Sequence, residues 1–363
     1  MRKEYPCVEV KLSKITHNAK QVLSMCNAKG IEVIGVTKVF CAESPIIQAM
    51  LRGGITQVGD SRIQNLKKIK DMKCRKMLLR ISMESEVEDV VKYSDVSLNS
   101  ELDTIKALSR AARRLNKFHN IILMVDVGDL REGVLVEDVI PTVQEIFKLD
   151  NINLVGLGTN VTCYGGVLPD RDNLGKLVKL KREIKETFNI ELPLISGGNS
   201  SSLYMVMENT MPREINQLRI GEAIVLGRET SFGKSISNCY DDAFILKGEI
   251  VEIKNKPTVP TGKIGMDAFG QTPHFEDKGI RRRAIIALGR QDAKVDGLIP
   301  LDKSISIFGA SSDHLIIDVT DSKKSFKIGD IVEFKMDYGC LLAAMTSLYV
   351  NKYYEKELAI ASI

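Results

Sequence analysis

The sequence predicts an α/β fold, a (β/α)8 TIM barrel followed by a smaller C-terminal β domain, and three features carry that expectation. Over the first two-thirds of the 363 residues, short β-branched runs alternate with longer segments of helical period, as repeated βα units around a parallel sheet would. Eight such units in about 220 residues match the arithmetic of a closed barrel. Beyond Gly227 the helical periods stop and short alternating runs take over.

In chain order the strand candidates are 31–38, 57–60, 76–81, 96–99, 121–127, 154–161, 192–196 and 217–226. Helix candidates between them include 43–52, 62–71, 100–116, 136–148 and 171–188, several opened by an Asp or Ser suited to capping. The later runs, 244–253, 283–288, 304–308, 315–319 and 331–334, read as strands of the β domain. Residues 5–10 also alternate and precede the first barrel helix, so they are expected to pair with those strands. The expected division is therefore 1–10 on the β domain, 11–230 as the barrel and cofactor domain, and 231–363 as the β domain.

Composition narrows the function. Lys and Arg total 51 against 47 Asp and Glu, and a surplus of +4 is too small to mark a nucleic-acid partner. No run of about 18 apolar residues and no apolar leader is found, so no membrane partner is expected. Seven cysteines, odd in number and never in a C-x-x-C pair, fit a reducing cytoplasm. Four scattered histidines lack ligand spacing, so no metal is expected.

In a barrel, chemistry sits where strands end and βα loops begin. Lys38 follows four apolar or small residues at the end of the first strand. An ammonium in mid-barrel would be costly to desolvate, which lowers its pKa and makes it a nucleophile able to form a Schiff base with an aldehyde cofactor. Gly197-Gly198-Asn199-Ser200-Ser201 places bare backbone beside hydroxyls ahead of a helix, a cradle for phosphate, and Gly221 offers further amides on the next loop. Lysine and two phosphate-facing loops together point to pyridoxal 5'-phosphate. Residues 227–235 read G-x5-G-K-S, one residue too long for a P-loop.

Four segments in this order, Val36-Thr37-Lys38, Val125-Asp126-Val127-Gly128-Asp129-Leu130-Arg131-Glu132-Gly133, Gly198-Asn199-Ser200 and Leu218-Arg219-Ile220-Gly221-Glu222-Ala223, resemble the alanine racemase family of fold type III pyridoxal-phosphate enzymes. The resemblance spans almost the whole chain. Segments 35–40, 60–62, 98–101, 309–314 and 337–339 are most similar to the branch of that family acting on ornithine. What it implies is a homodimeric racemase of an amino acid, ornithine or another basic one such as lysine.

By the same resemblance Lys38 holds the cofactor and serves as one of two acid-base groups, while Arg219 faces the pyridine nitrogen. Arg131 lies by the cofactor oxygen and the substrate carboxylate. Asn160 packs beside the ring, where the family more often has histidine. Asn199, Ser200, Gly221 and Tyr349 bind the cofactor, the last three at its phosphate. The chain departs from the family at the second proton donor, because residues 262–270 hold no tyrosine. Asp267 is the candidate there, as opposing acid or as anchor for a substrate ammonium, with Tyr338 and Cys340 as competitors and Asp313 as a second anchor. Two other readings remain: a pyridoxal-phosphate-binding homeostasis protein without turnover, and a decarboxylase or aldolase on the same fold.

Overall fold

The computed structural model describes residues 3–355. The chain divides into two compact units, Leu12–Asp241 and a second made of the residues up to Lys11 and from Asp242 onward. The first strand, β1 (Cys7–Val10), belongs to that second unit.

The barrel unit is built on β2 (Glu32–Val36), β3 (Gln57–Asp60), β4 (Arg75–Leu78), β5 (Val96–Asn99), β6 (His119–Asp126), β8 (Ile152–Gly158), β9 (Leu194–Ser196) and β10 (Gln217–Ile220). Every pairing among them is parallel, and contacts of β5 with β6 and of β10 with β2 close the ring. A two-residue strand, β7 (Val134–Leu135), lies against β6. Strand parity decides what fills the interior. Ile34, Met77, Val96, Leu98, Ile122 and Met124 form one buried cluster, each worth about 1.5–3 kcal/mol of apolar burial. Register pairs Arg219 with Ile34, so the guanidinium shares the level and the face of that cluster.

Three expectations are corrected. The eighth strand candidate, 217–226, ends at Ile220, and Glu222–Leu226 is a helix. Its apolar run is buried in either state, and length alone could not separate them. The first strand stops at Val36, with Lys38–Phe40 forming a single helical turn beyond it. Side-chain capping is also rarer than expected. Glu43, Arg62 and Glu101 stand at helix starts without a capping bond, whereas Asp170 and Asn173 cap Arg171–Phe188 reciprocally.

In the second unit, β11 (Phe244–Pro257), β12 (Ile280–Ala287), β13 (Leu298–Pro300), β14 (Ser306–Ala310), β15 (His314–Asp318), β16 (Ile331–Met336) and β17 (Asn351–Tyr354) join β1 in an eight-stranded sheet. β1 pairs antiparallel with β11 and parallel with β17. β13, β17 and the helix Tyr338–Thr346 are not among the elements expected from the sequence. That helix is started by the Asp337 carboxylate, which accepts from the Cys340 amide at 2.7 Å. No helix among the described residues is long and apolar enough to cross a membrane.

Candidate active site

Lys38 opens the turn after β2 and is exposed, not the dry mid-barrel ammonium expected of it. The strand ends two residues earlier, which lifts the side chain to the rim. Its neighbour Thr37 is fully buried and donates to Asp60 Oδ2 at 2.6 Å. Asp60 Oδ1 in turn accepts from the Arg62 amide at 2.8 Å and Asn65 Nδ2 at 3.1 Å. Burial pushes the Asp60 carboxyl above its usual range, against these bonds and the nearby Lys38 charge. The turn that carries Lys38 is therefore pinned from below by a saturated carboxyl group.

Arg219 is 4% exposed. It donates from Nη1 to Ser196 Oγ and from Nη2 to the Thr159 carbonyl, each at 2.5 Å. Burial lowers its pKa to about 10, which still leaves it protonated at neutral pH. Thr159 is itself fixed, its hydroxyl donating to the Val125 carbonyl at 2.8 Å. Three strand ends thus hold one cation at a single orientation.

Beside it, Asn199 Oδ1 accepts from the Ser201 amide at 2.7 Å, and Asn199 Nδ2 donates to Asn160 Oδ1 at 2.8 Å. Ser200 is buried and its Oγ accepts from the Ala223 amide at 3.2 Å, linking the loops after β9 and β10. The Ser201 hydroxyl is buried with no hydrogen-bond partner among the described residues. Such an orphan costs about 1–3 kcal/mol unless a ligand oxygen meets it. Gly198 sits at φ +113, and a Cβ on Gly221 would stand 3.0 Å from Val36 Cβ, so both positions keep the cradle open only as glycine. The following helices have five residues each, shorter than the dipole argument assumed, so amides and hydroxyls are what an anion would meet here. These residues fit a phosphate.

Arg131 stands in the loop after β6, partly exposed and ion-paired with Glu132. Burial draws its pKa down, but the Glu132 carboxylate outweighs that and holds it above the usual arginine range. Asn160 and Asn199 both direct an amide nitrogen at Cys163 Sγ, at 3.1 and 3.4 Å. Thr159, Ser196 and Cys163 were not singled out from the sequence, whereas Ser201 was, as part of the glycine- and serine-rich stretch. Polar residues closing two consecutive apolar strands, Thr159 and Ser196, were the available signal. Glu229 was also missed. Fully buried, it accepts from the Ser231 and Lys234 amides at 2.7 Å, and Ser231 Oγ reaches the Ser201 carbonyl at 2.9 Å. The false P-loop is thus a loop folded on one carboxylate beneath the cradle.

The remaining candidates belong to the second unit. Asp267 lies in an exposed turn, its Oδ1 accepting from the Phe269 and Gln271 amides at 2.9 Å. Those bonds, from Gln271 and Phe269, hold its carboxyl below the usual range. An anion of that kind suits pairing with an ammonium better than donating a proton. Asp313 is exposed and accepts from Gln291 Nε2 and, at 2.8 Å, from Ser312 Oγ. Tyr349 is 67% exposed and precedes β17 in a bend. Cys340 is buried, and burial with the Asp337 charge pushes its thiol up to about 12, which removes it as an acid-base group at neutral pH. Tyr338 is half-buried at the start of its helix.

A closed parallel barrel with a lysine, a pinned arginine and a glycine- and serine-lined cradle at its strand ends, in a chain that also carries a mainly antiparallel β unit, defines a two-unit β/α-barrel class. A family profile described as "Alanine racemase, N-terminal domain" matches residues 10–229. The chain is 51% identical over 349 residues to an ornithine racemase of Acetoanaerobium sticklandii, covering 96% of this chain and 99% of that one. It is 42% identical over 356 residues to a lysine racemase of Thermotoga maritima, covering 98% and 99%. Among solved structures, an alanine racemase from Bartonella henselae with covalently bound pyridoxal phosphate superimposes with a TM-score of 0.72 at 16% identity, over 97% of this chain and all of that one. The chain belongs to the alanine racemase family.

Proposed function

We propose that this protein is a pyridoxal-phosphate-dependent amino-acid racemase that interconverts the L and D enantiomers of ornithine, or of lysine as a second basic substrate. The observation that carries the reading is Arg219, a protonated group buried on the barrel's inner face and fixed by Ser196 and Thr159. When bound, pyridoxal phosphate supplies an aldehyde for the amino group and a ring that withdraws electrons from Cα. Arg219 keeps its proton, so it would offer a ring nitrogen only a donor and would leave that withdrawal weak. Return of a proton to Cα is then favoured over loss of carbon dioxide or amino transfer.

Lys38 is the residue for covalent attachment and for moving the proton on one face of Cα. Asn199, Ser200 and Gly221, with the Ser201 hydroxyl, form the phosphate cradle, and Tyr349 is the phenol that the family resemblance assigns to the cofactor. Arg131 and Asn160 orient the substrate carboxylate and the ring. Asp267, with Asp313 as its alternative, pairs with the side-chain ammonium of a basic substrate, which must be neutralised once it leaves water. The two relatives named above act, by name, on ornithine and lysine, which supports this substrate class. The seven cysteines, all free, support a reducing cytoplasm as the place of action, and membership of the family supports a homodimer.

The test is incubation of the cofactor-loaded protein with L-ornithine and L-lysine in deuterated water. Loss of optical rotation together with deuterium at Cα is expected, and Lys38→Ala should abolish both, along with the visible absorbance of the bound cofactor. Release of carbon dioxide or of an aldehyde would make it a decarboxylase or an aldolase. Cofactor binding with no turnover of any amino acid would make it a binding protein.

A further inference from the structure

Asp129, in the loop after β6, is 1% exposed, and no step above uses it. Its Oδ1 accepts from the backbone amides of Thr162 at 3.2 Å and Val167 at 3.1 Å. Its Oδ2 accepts from those of Cys163 at 3.3 Å and Tyr164 at 3.0 Å. All four donors lie in the next βα loop, after β8. We propose that Asp129 is a positioning residue that straps these two loops together at the barrel mouth, so that Arg131 on one keeps its place by the substrate carboxylate and Asn160 on the other keeps its place beside the cofactor ring. The proposal rests on the racemase reading for what the two residues bind.

Several observations converge on the strap. Leu130 and Thr162, one on each loop, have φ of 54 and 61, left-handed values that cost a side-chain-bearing residue about 1–2 kcal/mol and persist only where surrounding bonds impose them. A second carboxylate, Asp126, folds the first loop by accepting from the Gly128 amide at 2.8 Å and the Leu130 amide at 3.3 Å. The strapped segment continues into the cradle, because Cys163 Sγ receives the Asn160 and Asn199 amides. Burial alone would push the Asp129 carboxyl up, but the Tyr164, Val167, Cys163 and Gly165 amides outweigh it and hold it below the usual range. The strap therefore stays ionised at neutral pH.

The chemistry requires a carboxylate. Each Asp129 oxygen faces two N–H donors, so an Asn would set its own amide hydrogens against donors in either flip. A second handle leaves the charge intact. A Cβ on Gly165 would stand 2.8 Å from the Asp129 carbonyl oxygen, so Gly165→Ala must push the loops apart.

Both variants are made in the full chain loaded with pyridoxal phosphate. For Asp129→Asn and Gly165→Ala alike, KM for L-ornithine is expected to rise about tenfold while kcat changes less than about threefold. The content of bound cofactor should stay unchanged. Hydrogen exchange at amides 162–167 should accelerate while β6 and β8 stay protected. The double variant should be little worse than the worse single one, since both break the same contact. Unchanged KM in both, additive losses in the double variant, or a joint fall of melting temperature, cofactor content and kcat at constant KM would overturn the proposal. Absence of turnover by the unmodified protein would sink the racemase reading alone. The strap would then be judged by affinity for ornithine, read from the cofactor's absorbance, and by the exchange of amides 162–167.

Discussion

At the barrel rim Arg219 is 4% exposed and tied to two strand ends, whereas in the β unit Asp267 lies on an exposed turn and spends its carboxylate on amides of its own loop. The difference extends to the other candidates. Ser200, Thr37 and Asp60 are buried within networks that cross between βα units, while Asp313 and Tyr349 are exposed and bonded to residues near them in space. Rim residues are therefore parts of the fold as well as of the site, and a change there should cost stability and activity together. Residues of the β unit are free to specialise, and a change there should alter selectivity while the fold is unmoved.

The largest effect that would sharpen this contrast is expected at Arg219. Replacement by Leu removes a charged donor and leaves the Ser196 hydroxyl and the Thr159 carbonyl buried and unpaired. The cofactor-free protein should lose about 2–4 kcal/mol in urea denaturation. Racemisation by the loaded protein should fall below about 1%. A loss of activity with stability intact would mean that the rim is held by other bonds, and the contrast would break.

Next comes a buried histidine of the barrel. His119 is 1% exposed and shares a 2.8 Å hydrogen bond with Ser97 Oγ. Burial lowers its pKa to about 4. Between the unfolded value near 6.5 and about 4 the unfolded chain binds a proton that the native one refuses, so the barrel should lose stability as pH falls through that window, by on the order of 3 kcal/mol. The difference in pH slope between the unmodified protein and His119→Gln isolates this contribution from that of the carboxylates.

These contrasts explain which parts of the molecule were legible in sequence. Barrel strands announce themselves because burial on both faces demands β-branched runs; Lys38 stands out as a charge at the end of such a run and Ser200 in a glycine-rich stretch, whereas Arg219 is marked only by the family resemblance. What could not be read was the means of holding them. Thr159, Asp60 and Glu229 act on backbone amides or on residues 23 to 60 positions away, and no local pattern encodes such a partner. The run after Arg219 misled for a related reason: Ala223-Ile224-Val225-Leu226 is buried as a helix and would have been equally buried as a strand. Lys38 was placed too deep because the sequence does not mark where a strand gives way to a turn.

A smaller effect is expected at Ser201, and its sign differs with and without the cofactor. The hydroxyl is buried and unpartnered, so Ser201→Ala should leave the cofactor-free protein as stable as before or slightly more so. If the hydroxyl donates to the phosphate, the dissociation constant for pyridoxal phosphate should rise about tenfold, the equivalent of one hydrogen bond. Fluorescence titration measures the second quantity and thermal unfolding the first. Equal affinity in both proteins would place the phosphate elsewhere on the rim.

The smallest and most selective change is expected at Asp267. Its carboxyl is held below the usual range by the Gln271 and Phe269 amides, so whatever it contributes to its turn is present above that range and fades as pH falls through the depressed value. Asn retains one acceptor oxygen for the turn but no charge, so Asp267→Asn should leave the melting temperature unmoved. If the carboxylate pairs with a side-chain ammonium, KM should rise about fivefold for ornithine and lysine and stay constant for alanine, which has no ammonium to pair. An equal rise for all three would assign Asp267 to a step common to every substrate, on the side of the opposing acid. No change for any of them would reduce it to a turn residue and shift the anchoring role to Asp313, where the same comparison of substrates applies.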